Sequence, residues 1–457
     1  MYKVTIDGKE YLAEENTLLS DLMRNAAPYM EHPCGGKGTC KKCTVTVNGK
    51  EELSCRYTIH SDIEVITPAH GKILSHWGDI ENAISGRRTF FALDIGTTTL
   101  ALAYISEGKH RVITATNPQR AYGADVMSRI DFCMKNGVDA LQKCLISEIN
   151  KMIAELGEIA EALYVSGNAT MLHTFFGEDC SGMGVAPYTP VFIETRNENA
   201  ASLGINGAEK VVSLPSVAAF VGADIVAGLH FAGLPTHGKY NLLVDLGTNA
   251  EVVLYSEKSS LCTAAAAGPC FEGANISCGM SATEGAVCAF SDYGAVTIGN
   301  IPPKGICGTG LVDIISTLVL RGDIDETGFF EDEVFEIAEN VQLTQQDIRQ
   351  YQLAKSAVCS AIMTLMDTEG VTSDDIDKMY ISGGFSAKLN IANAVHTGLL
   401  PKELKDKCVP LNNSSLLGTV KFACEGGNLS EIVGRTSYVD LSSNPLFSEL
   451  FVDNMMF

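Results

Sequence analysis

The sequence has no long apolar segment. Hydrophobic residues make up 46% of its 457 residues, yet no run of about 18 apolar residues occurs, so a membrane-spanning helix is not expected. The N-terminus alternates polar and apolar residues and lacks the basic-then-apolar plan of a secretory signal. We therefore expect a cytoplasmic protein with no membrane partner.

Basic residues are scarce. The chain has 33 Lys and Arg against 55 Asp and Glu, which gives a formal net charge of -22. Nucleic acids are bound largely by neutralising their phosphates with Lys and Arg. The charge therefore excludes nucleic acid as a partner. Most of the acidity lies after residue 67, because the first 67 residues are nearly balanced in charge.

Two common nucleotide-binding signatures are absent. Neither G-x-x-x-x-G-K-[ST] nor a strand-linked G-x-G-x-x-G occurs, which disfavours P-loop and dinucleotide-binding folds. The chain is longer than a single core usually organises, so several domains are expected. We predict an α/β protein with a small β-rich domain at 1–67, a linker at 68–88, and two lobes of a larger domain at 89–238 and 239–457.

Four of the 15 cysteines are clustered near the N-terminus. Because cytosolic thiols are kept reduced, we expect metal ligation or burial rather than disulfides. The spacing C-x5-C-x2-C-x11-C is similar to that of adrenodoxin-like ferredoxins, one residue longer than the plant type. Zinc is the alternative, but a four-cysteine zinc site normally has two C-x2-C pairs. The pattern predicts four ligands for a 2Fe-2S cluster: Cys34, Cys40, Cys43 and Cys55.

Short strands and turns are predicted around the cysteine loop. Strands are expected at 3–6, 44–47 and 63–66, with a helix at 18–25. The dipeptides Asp7-Gly8 and Asn48-Gly49 favour tight hairpin turns. This pattern indicates a compact sheet that carries the loop.

A two-part pattern occurs twice in the larger domain. The segments Asp94-Ile95-Gly96-Thr97-Thr98 and Asp245-Leu246-Gly247-Thr248-Asn249 each stand between strand-like apolar runs. Downstream of each, another apolar strand ends in Ser-Gly, at Ser166-Gly167 and at Ser382-Gly383. Two copies in the same order predict a duplicated fold.

The paired D-x-G-T turns predict binding of a nucleotide and Mg²⁺. Backbone N–H groups and hydroxyls at a tight bend bind phosphate oxygens, and two aspartates across a cleft can share Mg²⁺ through waters. Either turn alone would be an ordinary hairpin. The predicted catalytic and Mg²⁺ residues are Asp94 and Asp245. The predicted nucleotide contacts are Gly96, Thr97, Thr98, Thr99, Gly247, Thr248, Asn249, Gly308, Gly310, Gly383 and Gly384.

The glycine pairs outside the turns have separate reasons. Gly383 and Gly384 permit flat approach to an adenosine, whereas Gly308 and Gly310 open an apolar helix or form a tight turn. Glu251 and Glu272 lie beside the motifs, where a nucleotide contact and a turn carboxylate are equally compatible with the sequence. Five irregularly spaced cysteines with apolar flanks are expected to be buried structural thiols: Cys262, Cys270, Cys278, Cys288 and Cys307.

Taken together, the motifs resemble those of one family. The cysteine loop followed by LDIGTTTLALA, VSGNATMLH, LLVDLGTNAEVVL, AAGPCFEGANIS and ISGGF is similar to the reductive activators of corrinoid proteins, over nearly the whole chain. The resemblance implies an N-terminal β-grasp 2Fe-2S ferredoxin domain and a duplicated ribonuclease H-like domain of the actin, sugar-kinase and heat-shock ATPase superfamily. It also implies an ATP-dependent reductase that returns the Co(II) corrinoid of a methyltransferase-system protein to Co(I).

The resemblance further implies partners. These are a corrinoid protein and an upstream electron donor of the ferredoxin or flavodoxin type. The corrinoid is expected on the partner, because the chain lacks the motif D-x-H-x-x-G. Larger family members have an extra domain where this chain has only the 21 residues of 68–88, so a homodimer is left open.

Three other functions are compatible with parts of the pattern. Activators of acyl-CoA dehydratases or reductases share the ATPase half, but they carry a 4Fe-4S cluster between subunits and no ferredoxin domain. A nucleotide-gated redox sensor would bind ATP without partner-stimulated hydrolysis. A metabolite kinase would have no evident use for an attached cluster.

Overall fold

The computed structural model describes residues 1–27, 30, 36, 38, 43–67, 80–86, 88–332, 334–384 and 386–457. Within this part of the chain, one five-stranded and two six-stranded sheets organise the fold. None of the helices described is long and apolar enough to cross a membrane.

The five-stranded sheet lies at the N-terminus. Its elements are β1 (Tyr2–Ile6), β2 (Lys9–Ala13), α1 (Leu19–Ala26), β3 (Thr44–Val47), β4 (Lys50–Leu53) and β5 (Ile63–Ile66). The strand order is β2-β1-β5-β3-β4, with β1 and β5 parallel. Leu19 and Met23 of α1 are fully buried against the sheet. This is a β-grasp arrangement, and the predicted strands and helix are confirmed.

The hairpin turns follow the sequence signals. Asp7 and Asn48 have φ of 46° and 49°, and the glycine after each also has a positive φ. Such backbone angles match the right-handed twist of adjoining strands and favour Asp-Gly and Asn-Gly. The segment expected to be a linker contains one helical turn, α2 (Ile80–Ala83); residues 68–79 and 87 lie outside the described residues.

A six-stranded sheet begins at residue 90. Its order is β10-β11-β9-β6-β7-β8. The elements are β6 (Phe90–Ile95), β7 (Thr99–Ser106), β8 (Lys109–Thr116), α3 (Val126–Asn136), α4 (Asp139–Leu156), β9 (Ala160–Gly167), α5 (Ala169–Phe176), β10 (Asn197–Asn199), β11 (Ala208–Ser213) and α6 (Ala223–Ala232).

The second six-stranded sheet has the order β21-β20-β12-β13-β14-β22. Its half of the chain contains β12 (Tyr240–Leu246), β13 (Ala250–Tyr255), β14 (Ser260–Ala265), β15 (Ala286–Ser291), β16 (Gly294–Thr297), β17 (Gly305–Ile306), α7 (Gly308–Arg321), β18 (Val334–Ala338), β19 (Val341–Thr344), α8 (Gln345–Glu369), β20 (Ile376–Ser382), α9 (Ile391–His396), β21 (Cys408–Pro410), α10 (Ser414–Glu425), α11 (Leu429–Arg435), β22 (Thr436–Tyr438) and α12 (Pro445–Asp453).

The two sheets repeat one topology. In each, three antiparallel strands are followed by a parallel strand beside the first, which is β9 beside β6 and β20 beside β12. The repetition extends to single residues, because Asp94 pairs with Ser166 and Asp245 pairs with Ser382. The predicted duplication of a ribonuclease H-like unit is therefore confirmed.

Helices α6 and α10 connect the two halves. Leu416 and Val420 of α10 pack on the first sheet, although α10 follows β21 of the second sheet in sequence. Ile225 and Leu229 of α6 pack against strands of the second sheet. The two helices touch closely at Gly418, where an added Cβ would lie 1.8 Å from the carbonyl oxygen of Ala227.

Candidate nucleotide cleft and iron-sulfur site

The first D-x-G-T turn joins β6 to β7. The backbone N–H of Gly96 donates to the carbonyl oxygen of Thr99 over 3.0 Å. A Cβ on Gly96 would lie 2.6 Å from that same oxygen, so the turn requires glycine here. The side chain of Thr97 accepts from Asn168 Nδ2 at 3.1 Å. The predicted contacts at 96–99 are thus partly exposed on one tight bend.

The second turn joins β12 to β13 in the same way. The backbone N–H of Gly247 donates to the carbonyl oxygen of Asn249 over 3.0 Å. The hydroxyl of Thr248 is buried and has no hydrogen-bond partner among the described residues. A buried polar atom without a partner is unfavourable unless a ligand or water satisfies it. This hydroxyl fits a phosphate oxygen or a water on a bound cation.

The aspartate of the first turn is held by the start of α10. Asp94 is 8% exposed, and its two carboxylate oxygens accept from Asn413 Nδ2 at 2.6 Å and Ser415 Oγ at 2.7 Å. Asn413 also caps α10, because its side chain accepts from the N–H of Leu416. Burial raises the pKa of Asp94, and the two hydrogen bonds oppose that rise.

Three more carboxylates lie near Asp94. Burial raises the pKa of Asp245 to about 6, and the charge of Asp94 adds to the rise. The pKa of Asp224, in the first turn of α6, is raised to about 8 by burial and by both aspartates. Burial, followed by the charges of Asp224 and Asp245, also raises the pKa of Glu251, which lies opposite Asp245 on β13. Together these carboxylates resist full ionisation, and a bound cation would favour their charged forms.

The donor set fits Mg²⁺ held with water and phosphate. None of these four carboxylates forms an ion pair with Lys, Arg or His in the described part of the chain. No group of three or more His, Cys, Asp or Glu there is close enough to hold a metal ion directly. Mg²⁺ commonly keeps several waters and uses one or two carboxylates together with substrate phosphates.

Glu272 connects the two turns. Thr98 Oγ1 donates to Glu272 Oε2 over 2.6 Å, a contact between residues 174 positions apart. The other carboxylate oxygen would lie 3.9 Å from a Cβ on Gly247. Both turns thus border the same carboxylate. Glu272 is one of the two glutamates whose role the sequence left undecided.

The remaining predicted glycines have different surroundings. At Gly383, φ is +108° and a Cβ would lie 2.1 Å from the carbonyl oxygen of Leu246, whereas Gly384 faces open space. A helix does begin at Gly308. A Cβ on Gly308 or Gly310 would lie within 2.2 Å of a neighbouring carbonyl oxygen, so close packing already requires glycine at both positions. Their contact with a nucleotide stays a prediction.

Two of the four predicted cluster ligands lie side by side. Cys43 and Cys55 are buried, and their Sγ atoms are 3.3 Å apart. A disulfide needs about 2.05 Å, whereas two thiolates at the observed separation can bind one metal ion. Their arrangement fits half of a four-thiolate cluster site. Cys34 and Cys40 lie outside the described residues.

The five cysteines of the second half do not form a cluster site. Cys262, Cys270 and Cys307 are buried, and burial raises the pKa of the first two thiols to about 12. Cys278 and Cys288 are partly buried and contact backbone carbonyls. Protonated thiols in such places act as small apolar side chains, which agrees with the structural role expected for them.

Several residues at the cleft escaped the sequence analysis. The Asn413-Ser414-Ser415 run has the composition of a helix N-cap, so the start of α10 was detectable, but its contact with Asp94 was not. Asp224 carried no signal of composition or spacing that singled it out. Arg129, whose Nη2 donates to the carbonyl oxygen of Thr97 at 2.5 Å, lies in an otherwise ordinary amphipathic helix.

Comparison with known proteins agrees with this arrangement. Residues 4–67 match the 2Fe-2S iron-sulfur cluster binding domain, residues 90–237 the RACo middle region, and residues 239–457 the C-terminal domain of RACo, the ASKHA domain.

Full-length relatives extend the agreement. The chain is 27% identical to the corrinoid activation enzyme RamQ of Eubacterium limosum over 586 aligned positions, which cover 98% of each protein. It is 25% identical to the [Co(II) methylated amine-specific corrinoid protein] reductase of Methanosarcina barkeri, over 75% of this chain and 71% of that protein. The RamQ alignment is longer than this chain, so that relative has segments this chain lacks.

A solved structure supports the same grouping. The structure titled reductive activator for corrinoid, iron-sulfur protein superposes with a TM-score of 0.73 at 26% identity, covering 100% of this chain and 98% of that one. Matches of this length include the N-terminal iron-sulfur domain and both six-stranded sheets together. The chain therefore belongs to the RACo family of reductive activators of corrinoid proteins.

Proposed function

We propose that this protein uses ATP to transfer one electron from a 2Fe-2S cluster to the Co(II) corrinoid of a methyltransferase-system protein, which regenerates Co(I). The observation that carries the proposal is the joining, in one chain, of the facing thiols of Cys43 and Cys55 to a cleft with two phosphate turns. Relatives named a corrinoid activation enzyme and a corrinoid protein reductase support the acceptor.

The N-terminal domain holds the electron carrier. Its ligands are Cys34, Cys40, Cys43 and Cys55. When bound, the cluster accepts and releases single electrons. The two described ligands are buried, which keeps water from their thiolates. An upstream donor of the ferredoxin or flavodoxin type would refill the cluster.

The cleft binds and hydrolyses the nucleotide. Asp94 and Asp245 would hold Mg²⁺, and backbone N–H groups of the two turns and the Thr248 hydroxyl would bind phosphate oxygens. A bound Mg²⁺ would offset the phosphate charge. Glu272, placed beside Thr98, orients the attacking water and accepts its proton as the bond to the terminal phosphate breaks.

ATP supplies the free energy that the electron transfer lacks. Reduction of Co(II) to Co(I) is uphill for a ferredoxin of ordinary potential, and each deficit of about 59 mV lowers a one-electron equilibrium constant tenfold. A nucleotide can shift this equilibrium only by binding the states with different affinity. We expect the nucleotide to close the cleft and to change the affinity of the activator for the Co(II) partner.

Anaerobic visible spectroscopy tests this function. A Co(II) corrinoid protein is mixed with the full-length protein, a reductant and Mg-ATP, and the Co(I) spectrum should develop only with ATP. With Asp245→Asn, the Co(I) spectrum should no longer form when ATP is added, although the cluster is still reduced. Asp332→Asn, an exposed site, is the matched control and should behave as wild type.

The opposite result would reassign the acceptor. If the cluster is reduced but cobalt stays Co(II) with several corrinoid partners, the protein donates electrons to another low-potential metalloenzyme or acts as a sensor. Unchanged affinity for the Co(II) partner with a non-hydrolysable nucleotide would contradict the coupling by differential affinity.

A further inference from the structure

The most unusual buried charge in the described chain is Arg129. It lies on α3 with no solvent exposure. Among the described residues, its guanidinium donates to four neutral acceptors: the carbonyl oxygens of Thr97 at 2.5 Å and Gly123 at 3.0 Å, Met171 Sδ at 3.0 Å and Gln119 Oε1 at 3.4 Å. Burial, followed by the charge of Arg120, lowers the pKa of Arg129 to about 9.

A buried cation of this kind normally has an anionic partner. Burying an uncompensated charge costs several kcal/mol even after relaxation of the surroundings. Asp125 and Glu272 act on Arg129 through space, but neither forms an ion pair with it. The missing countercharge is therefore expected to come from a ligand.

The position of Arg129 indicates which ligand. The acceptor closest to its guanidinium, the Thr97 carbonyl oxygen, belongs to the first D-x-G-T turn, which is proposed to bind phosphate. Asn117, also fully buried, holds the same turn through a bond from Nδ2 to the Gly96 carbonyl at 2.8 Å and a backbone N–H bond to the Thr98 carbonyl at 2.9 Å. A phosphate bound by this turn would therefore attach to the same short backbone segment that the Arg129 guanidinium holds.

The opposite side of the same segment faces the ferredoxin domain. A cavity of about 340 Å³ lies between α1 and α3, and Cys55 of the predicted cluster site is in its wall. The guanidinium carbon of Arg24 on α1 lies 5.6 Å from the centroid of the Tyr122 ring, within range of a cation–π contact. Residues 117–136, here called the relay segment, thus touch the phosphate turn and the cluster-bearing domain.

We propose that Arg129 is the buried countercharge of the nucleotide phosphates and that the relay segment transmits phosphate occupancy to the ferredoxin domain. Phosphates at the first turn balance the positive charge of the guanidinium and make the relay segment more rigid. The more rigid segment alters the contact between the Tyr122 ring and Arg24 beside the predicted cluster site. This inference rests on the ATP binding proposed above and not on the corrinoid acceptor.

Calorimetric titration of the holoprotein with AMP, ADP and a non-hydrolysable ATP analogue, each with Mg²⁺, tests the countercharge. In Arg129→Gln, affinity should fall about twofold for AMP and at least about tenfold for the ATP analogue, because the lost attraction grows with phosphate charge. Arg129→Lys, which keeps the charge, should recover part of the difference. Arg111→Gln, at a half-exposed site, is the control and should match wild type.

An equal loss for all three nucleotides would assign Arg129 a structural role only and overturn the proposal. So would unchanged affinity in Arg129→Gln. If wild-type protein binds no adenine nucleotide, the ATP part of the proposed function fails as well. If it binds and activates cobalt reduction while Arg129 variants keep the phosphate dependence, the inference alone fails.

Hydrogen exchange tests the transmission without depending on the folding of an Arg129 variant. In wild-type protein, the ATP analogue should slow amide exchange in the relay segment and change it in α1. In Tyr122→Ala, the response of the relay segment should remain and that of α1 should be lost. Unchanged exchange in both regions of wild-type protein on nucleotide binding would refute the transmission.

Discussion

The crossing of α6 and α10 gives the sharpest stability prediction, the substitution Gly418→Ala. A Cβ at Gly418 would lie 1.8 Å from the carbonyl oxygen of Ala227 and 2.3 Å from its carbon. Both are backbone atoms, so the helices must separate by more than about 1 Å to reach an ordinary contact distance. Overpacking of this kind costs about 1–3 kcal/mol or more.

The same separation would disturb the nucleotide cleft. Asn413 and Ser415 at the start of α10 hold Asp94 with bonds of 2.6 and 2.7 Å, and a shift above 1 Å takes both beyond hydrogen-bonding distance. We therefore expect Gly418→Ala to lose stability and Mg-nucleotide affinity together. Both are measurable, the first by urea unfolding followed by helix circular dichroism and the second by calorimetry.

Gly434 on α11 provides the matched control. It is also a helical glycine, but a Cβ there meets nothing within 4 Å. Gly434→Ala should raise stability by up to about 1 kcal/mol, because alanine favours the helix, and should leave nucleotide affinity unchanged. If Gly418→Ala unfolds at the urea concentration of wild type and binds nucleotide equally well, the close crossing of α6 and α10 is wrong.

Three further predictions address the cleft and the cluster. The substitution Glu272→Gln keeps a hydrogen-bond acceptor for the Thr98 hydroxyl but removes the negative charge. The rate of ATP hydrolysis should therefore fall about 10²-fold, with little change in nucleotide affinity. An unchanged rate of phosphate release would exclude Glu272 as the general base. Burial raises the pKa of Asp245 to about 6 and that of Asp224 to about 8. The affinity for Mg-nucleotide should therefore increase as the pH rises from 6 to 8, and binding in this range should release protons. Calorimetry in buffers of different ionisation enthalpy would detect the released protons. In the metal-free protein these two carboxyl groups stay protonated at pH values where the unfolded chain has already lost the protons. The free energy of unfolding should therefore decrease as the pH rises from about 4 to 8, and Mg²⁺ should make this decrease smaller. A free energy of unfolding that does not change with pH in the absence of Mg²⁺ would contradict this. Cys55→Ser should remove the visible absorption of the cluster and leave nucleotide affinity intact, whereas a retained cluster spectrum would show that Cys55 is not a ligand.

Local signals made much of the architecture predictable. The Asp7-Gly8 and Asn48-Gly49 turns form as their dipeptides indicate, because glycine and its partner tolerate positive φ without outside help. The D-x-G-T turns join paired strands for a related reason, since a glycine such as Gly96 leaves room for the tight bend. Each of these features depends on a few consecutive residues.

The chemistry of the cleft depends instead on residues far apart in sequence. Ser415 reaches Asp94 across 321 positions, and Glu272 reaches Thr98 across 174. Neither pairing is marked by composition or spacing, because a serine at a helix start and a glutamate in a turn are satisfied equally well by solvent. These side chains pair because the two halves of the larger domain pack together and exclude solvent from them.

The sequence by itself therefore determined the cysteine spacing, the duplicated turns and the positions of the strands beside them, which follow from local backbone preference and hydrophobic pattern. Only the tertiary structure decided which carboxylates share the cleft, which helix start anchors Asp94, and that the guanidinium of Arg129 donates to the Thr97 carbonyl of the first D-x-G-T turn. Those outcomes follow from desolvation and long-range contacts, which act only after the two halves have packed together.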